Sequence, residues 1–202
     1  MSADVERIEL ARLAPQRWKN GAGLTREIAT EPRGAGADGF DWRASIAEIA
    51  DDAPSSRFPG VDRWIVLLRG GGMTLHLDEG RALQRLDRPL APFFFSGDDL
   101  LHTRLIDGPS VDFNLMLRRG SFGAQLQVAR GATCVEPADA VLLWGCSGSA
   151  AIQSADGERK TLESGTGVLW RHACPRLELR PAGAGSRVLV ARLQRLCQDG
   201  GA

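Results

Sequence analysis

Apolar and polar residues along this chain alternate with a period of two over short stretches and almost nowhere with the 3.6-residue period of a helix. Runs of this kind occupy residues 63–68, 73–77, 92–95, 111–117, 124–128, 140–143 and 187–193, and clusters of Gly, Pro, Asp and Ser divide them. Residues 25–30 alternate as well, so Arg26 shares a face with Ile28 while Glu27 points the other way. Residues 48–53 and 6–13 are the candidates for helical turns, although alternation fits the second equally. Many short strands punctuated by turns predict an all-β sandwich, jelly roll or barrel.

The pattern repeats. Leu67-Leu68-Arg69-Gly70 followed by Met73-Thr74-Leu75-His76-Leu77 resembles Leu142-Leu143-Trp144-Gly145 followed by Ser149-Ala150-Ala151-Ile152-Gln153. Acidic glycine turns follow both, at Asp78-Glu79-Gly80 and Asp156-Gly157-Glu158, and Phe94-Phe95 matches Leu169-Trp170 at a similar offset. Two copies of one β-barrel unit explain this, meeting near residues 119–123. We expect domains at 1–120 and 121–202. The first copy carries nearly all of the polar and charged motifs, so the working pocket is expected there and a structural role for the second.

At 202 residues the chain is long enough for a substantial core, and 43% apolar with 25% charged residues is ordinary for a globular protein. Lys+Arg and Asp+Glu are 25 each, which leaves no bulk field to hold nucleic acid or an anionic membrane. There is no 18-residue apolar run and no apolar signal core near the start, so a cytoplasmic location is expected. Cys134, Cys146, Cys174 and Cys197 form no Cys-x-x-Cys pair and read as small buried hydrophobes in a reducing compartment. Lys19 and Lys160 are the only lysines; the other basic residues are arginines.

The chemistry concentrates in Trp18-Lys19-Asn20-Gly21-Ala22-Gly23-Leu24-Thr25-Arg26-Glu27, where two cations, an amide and a hydroxyl surround two glycines that let backbone approach a ligand. Further blocks are Trp42-Arg43-Ala44-Ser45-Ile46-Ala47, Phe58-Pro59-Gly60-Val61-Asp62-Arg63, Phe95-Ser96-Gly97-Asp98 and Asp112-Phe113-Asn114-Leu115-Met116-Leu117-Arg118-Arg119. Together and in this order they resemble the HutD/Ves family, with Ala22 in place of the usual middle glycine. The resemblance implies a double cupin (bicupin) fold and a link to histidine utilisation or stress responses.

Cupins often hold a metal on two or three histidines and a glutamate. Here His76, Glu79, Gly97 and His102 fall in the matching region, but Asp78 stands where a second histidine belongs and the later spacing fails, so no metal and no cofactor are expected. His102 and His172 have no partner pattern. The glycine loop lacks the third glycine of a dinucleotide fingerprint, with Arg26 in its place, and no P-loop ending follows. Gly145-Cys146-Ser147-Gly148-Ser149 is one residue short of a nucleophile elbow, and Cys146 with His172 makes a thiolate pair only if folding joins them.

What remains is a set of arginines. In residues 111–118, Phe113, Leu115 and Leu117 share one face while Asp112, Asn114 and Arg118 share the other, so the polar three go together into a pocket or into solvent. We expect a ligand site of Trp18, Lys19, Asn20, Arg26, Glu27, Arg43, Arg63, Asp112, Asn114 and Arg118, with Phe94 or Phe95 as an aromatic wall and the acids separating the cations. Such a pocket suits a small carboxylate or dicarboxylate. The resemblance implies a metal-independent regulatory protein sensing a histidine-pathway acid such as urocanate or formylglutamate. The alternative is a cupin isomerase, lyase or hydrolase with Glu27 or His76 as general base and Lys19 or Arg26 as anion stabiliser. The expected partner is a small anionic metabolite, with a homodimer as the candidate assembly.

Overall fold

The computed structural model describes residues 4–36, 39–77 and 81–196; Asp78, Glu79, Gly80 and Cys197 lie outside them. The described chain is all-β, without an α-helix. Its first strands are β1 (Val5–Glu9), β2 (Pro15–Arg17), β3 (Gly23–Glu31), β4 (Trp42–Ile49), β5 (Ala53–Pro54) and β6 (Val61–Gly70). Then come β7 (Met73–Leu77), β8 (Ala82–Leu86), β9 (Pro92–Ser96), β10 (Leu101–Leu105), β11 (Ser110–Arg118) and β12 (Phe122–Ala129). The last are β13 (Thr133–Val135), β14 (Ala140–Ser147), β15 (Ser149–Ser154), β16 (Arg159–Glu163), β17 (Thr166–Trp170), β18 (Leu177–Pro181) and β19 (Arg187–Arg195).

The chain forms two compact units. One runs from Leu13 to Ser121 and holds a six-stranded sheet, β2-β3-β4-β11-β6-β9, and a four-stranded sheet, β5-β10-β7-β8. The other joins the segment ending at Arg12 to the chain from Phe122 onward, with sheets β1-β17-β14-β19-β12 and β13-β18-β15-β16. The repeat is visible in these orders. Adding eight to each label converts β5-β10-β7-β8 into β13-β18-β15-β16 and β4-β11-β6-β9 into β12-β19-β14-β17. The offset differs by one residue from the sequence pairing: Leu67 and Leu143, not Leu142, face their units' cores.

The expected division at 1–120 needs one correction. β1 is antiparallel to β17 in the later unit, Leu10 N–H donates to Gly165 O at 3.0 Å, and buried Arg171 pairs with Glu6 at 2.5 Å. Of the two helical candidates, residues 6–13 form β1 and a 3-10 turn, Leu10–Arg12. Residues 48–53 are not helical. Glu48 pairs across to Leu24 and Val111, so β4 continues to Ile49 before β5.

Between the sheets of the later unit lies an apolar core containing Val141, Leu143, Ile152, Leu177, Val188 and Val190. The earlier unit has an apolar cluster of Ile49, Ile65, Leu67, Met73, Leu75, Leu86, Phe95 and Leu101. There the filling is incomplete, and a polar hollow remains.

Candidate functional site

A cavity of about 610 Å³ opens in the earlier unit, lined from both of its sheets. Strand register explains its floor. Ser45, Asn114 and Ile65 stand side by side on β4, β11 and β6, and the next row holds Arg43, Met116, Arg63 and Phe95. Residues paired across a sheet project from the same face, so two arginines flank one methionine at the bottom of the hollow. From the opposite sheet come Met73, Leu75 and Thr103. The segment after β2 contributes Trp18, Lys19 and Asn20.

The Asp112–Asn114–Met116 face of β11 therefore points into the cavity. Asp112 is 1% exposed and Asn114 7%. The pairing of β11 with β6 shifts register between Val111 and Asp112. Arg63 Nη2 donates to Asn114 Oδ1 at 2.9 Å, and Asn114 Nδ2 donates to Asp112 Oδ1. The Arg63 guanidinium also lies over the rings of Phe95 (4.9 Å) and Phe58 (5.5 Å), where the aromatic faces favour a cation. Its Nε is enclosed and has no hydrogen-bond partner. An enclosed N–H without an acceptor is costly, and it belongs to a residue that lines the hollow.

The charges are perturbed accordingly. Burial pushes the Asp112 carboxyl up to about 7, with Arg63 partly opposing. Burial lowers Arg63 to about 10, against the pull of Asp112 and with the help of nearby Arg43. Arg43 has its own counterion, since its Nε donates to Glu27 Oε2 at 2.7 Å.

Of the expected site residues, Trp18, Lys19, Asn20, Arg43, Arg63, Asp112 and Asn114 line the cavity. Glu27 reaches it only by holding Arg43. Arg26 does not: it is paired with Ile46, on the sheet's other face, and its guanidinium is bonded to Glu48. Thr25 takes the inward position and accepts the Trp18 indole N–H at 2.8 Å. Arg118 lies beyond Met116, donating to Phe40 O at 2.9 Å and covering the Phe40 ring. Phe95 is the aromatic wall, whereas Phe94 is 48% exposed and packs on Trp64. Asp62 binds Arg119, since adjacent strand residues project oppositely and Asp62 faces away from Arg63.

Sequence reasoning missed Ser45, Ser55, Phe58, Thr103 and Met116. Met116 continues the alternation already read on β11, and Ser45 lay in the 42–47 block without being singled out. Ser55 and Thr103, whose hydroxyls lie 2.9 Å apart, carried no signal.

The glycine loop acts as a turn. Gly21 adopts φ +75°, and Asn20 Oδ1 accepts the Ala22 N–H at 3.1 Å. Ala22 is not among the positive-φ residues, so alanine at the family's glycine position imposes no backbone strain there.

Among the described residues no group of three His, Cys, Asp or Glu is placed to hold a metal. His76 and His102 face each other across β7 and β10, but they alternate with the inward Leu75 and Thr103 and so lie on the outer face. That removes His76 as a base for chemistry in the cavity. A hollow whose charged groups are three guanidiniums, an ammonium and one carboxylate is a poor match for a divalent cation. Burial raises the Cys146 thiol to about 11, the reverse of an activated nucleophile.

A two-sheet β architecture around a polar hollow is cupin-like. A cupin 2 conserved barrel protein from Leptotrichia buccalis superposes with a TM-score of 0.55 at 9% identity, over 96% of this chain and 98% of that one, a likeness of fold alone. The HutD family profile matches residues 10–189, and the chain belongs to that family. It is 38% identical over 126 residues to protein Ves of Escherichia fergusonii, covering 62% of this chain and 64%, just under two thirds, of that protein. It is 38% identical over 149 residues to a 21.2 kDa protein of the hutC 3' region in Pseudomonas putida, covering 72% and 75%. HutD from Pseudomonas fluorescens SBW25 superposes with a TM-score of 0.81 at 29% identity, over 96% of this chain and all of that one.

Proposed function

We propose that this protein is a metal-independent binding protein for a small organic acid, with the ligand carboxylate seated against Arg63 in the cavity of the earlier unit. One observation carries the reading: a guanidinium lining an aromatic-walled hollow, with an Nε–H that nothing in the protein accepts. A carboxylate oxygen supplies that acceptor, and a charge-assisted bond of this kind contributes roughly 1.5–3 kcal/mol. Arg43 and Lys19 flank the same space and suit a second carboxylate or an amide oxygen. Two such anchors contribute roughly 3–6 kcal/mol, and burial of the ligand's apolar part against the aromatic wall adds to this against the cost of association.

Kinship with a hutC-region protein and with HutD points to an acid of histidine catabolism, such as urocanate or N-formylglutamate, and to a regulatory role in the cytoplasm. The structure of the Pseudomonas fluorescens HutD was obtained in a formate condition, and formate is the smallest carboxylate. In this reading each unit is one cupin barrel of a bicupin. The later one is structural, because its core is filled by valine and leucine where the earlier carries Arg63, Asp112 and Asn114. Isothermal titration with urocanate, N-formylglutamate and glutamate tests the proposal. Saturable heat from one of them, weakened in Arg63→Met, is expected; no heat from any at millimolar concentration refutes it.

A further inference from the structure

Resting on the anion-binding reading above, we propose that Asp112 is a proton-accepting determinant of the site, so that each organic anion bound in the cavity is accompanied by one proton taken from solvent onto the Asp112 carboxylate. The motivating geometry is the Arg63–Asn114–Asp112 chain. Because a guanidinium only donates, Asn114 must turn its Oδ1 to Arg63 and its Nδ2 to Asp112. The amide thus separates the two charges, and among the described residues the buried carboxylate is hydrogen-bonded by Asn114 and not directly by a cation. That separation explains why burial outweighs Arg63 and holds the carboxyl near neutrality.

Protonation costs this chain no hydrogen bond, since the carbonyl oxygen of the neutral acid still accepts from Asn114. Ionised Asp112 is the nearest balance for the Arg63 charge in the empty cavity. An arriving carboxylate supplies a second negative charge a few ångströms away in the same enclosed space, and two adjacent carboxylates there do not both stay ionised. The proton moves from solvent buffer to an Asp112 oxygen, an O–H bond forms, and the cavity's net charge is unchanged by loading.

The other charged groups around the hollow do not substitute for Asp112. Glu27 on β3 is committed to Arg43 on β4. Arg17 and Lys19, at the cavity's edge, are exposed and carry no carboxylate to take the proton. β7 and β10 present Met73, Leu75 and Thr103 inward, with His76 and His102 on the outer face.

The test is titration calorimetry of the wild-type full chain with N-formylglutamate, urocanate and glutamate at pH 8 in buffers of different ionisation enthalpy, repeated from pH 5.5 to 8.5. We expect uptake approaching one proton at pH 8 and near zero at pH 5.5, with affinity falling about tenfold per pH unit above pH 7. Whatever its affinity, the binding measured in Asp112→Asn loses both the buffer dependence and the pH slope. Should that variant fail to fold, carbon-detected NMR of the wild-type aspartate carboxyls supplies the second measurement: one buried carboxyl titrates near neutrality and shifts to its protonated position when the ligand is added. Binding with no buffer dependence, or a carboxyl that stays ionised in the complex, overturns the proton coupling and leaves anion binding intact. Absence of binding at every pH overturns both.

Discussion

Asp112→Asn gives the sharpest thermodynamic test of how the cavity is built. Asparagine keeps the shape and the acceptor that Asn114 uses, and removes the ionisation. Burial raises the Asp112 carboxyl from 3.8 to about 7. A carboxyl raised on folding binds more protons in the native than in the unfolded state between those values, so its contribution is fully present below pH 3.8 and is lost as pH rises through 7. At about 1.36 kcal/mol per unit, ionising Asp112 in place costs about 4 kcal/mol at pH 8 and under about 2 kcal/mol at pH 5. The variant is therefore expected to be more stable than the wild type at pH 8, by a margin that shrinks by about 2–3 kcal/mol at pH 5. Urea denaturation of both proteins at half-unit intervals across this range measures it. Parallel stability curves would show that Asp112 does not titrate in this window and would refute the reasoning.

Arg63→Met should weaken organic-acid binding by roughly 10- to 150-fold, the worth of one charge-assisted bond; an unchanged Kd by calorimetry would exclude Arg63 as the anchor. Trp18 lines the cavity, so ligand should change the wild-type tryptophan emission and Trp18→Phe should lose most of that change, read by fluorescence titration. Gly23→Ala would put a Cβ 2.5 Å from Glu48 O and 3.2 Å from the Trp18 ring, and should lower stability by about 1–3 kcal/mol. Gly131→Ala, with nothing within 4 Å, should leave the denaturation midpoint near the wild type's and serves as the control. Removing the residues before Leu13 strips β1 from β17 and takes away Glu6, leaving Arg171, 5% exposed in its side chain, without that carboxylate. The thermal midpoint should fall by several degrees, and an unchanged midpoint would show that β1 adds nothing to its sheet.

The repeat was legible because each unit writes the same alternation and the same glycine turns into the chain, and the later unit's strand order is the earlier one's shifted by eight. The inward face of β11 was legible as a set: period two binds Asp112 and Asn114 to one direction, whichever direction that is. The placement of β1 was not, since antiparallel pairing to a strand more than 150 residues away leaves no mark in local pattern. Arg26 shows the same limit. Its alternation was read correctly relative to Glu27, yet only the pairing of β3 with β4 decides that Thr25 and Glu27, not Arg26, take the cavity side.

Sequence by itself determined the β class, the twofold organisation, the family and the groups of residues that must act together, because side-chain periodicity and turn chemistry are local. Tertiary structure alone decided which face became the inside, which arginines found internal counterions and which kept a donor free. Those outcomes depend on strand register and on desolvation, and both are set by residues far apart along the chain that meet only after folding.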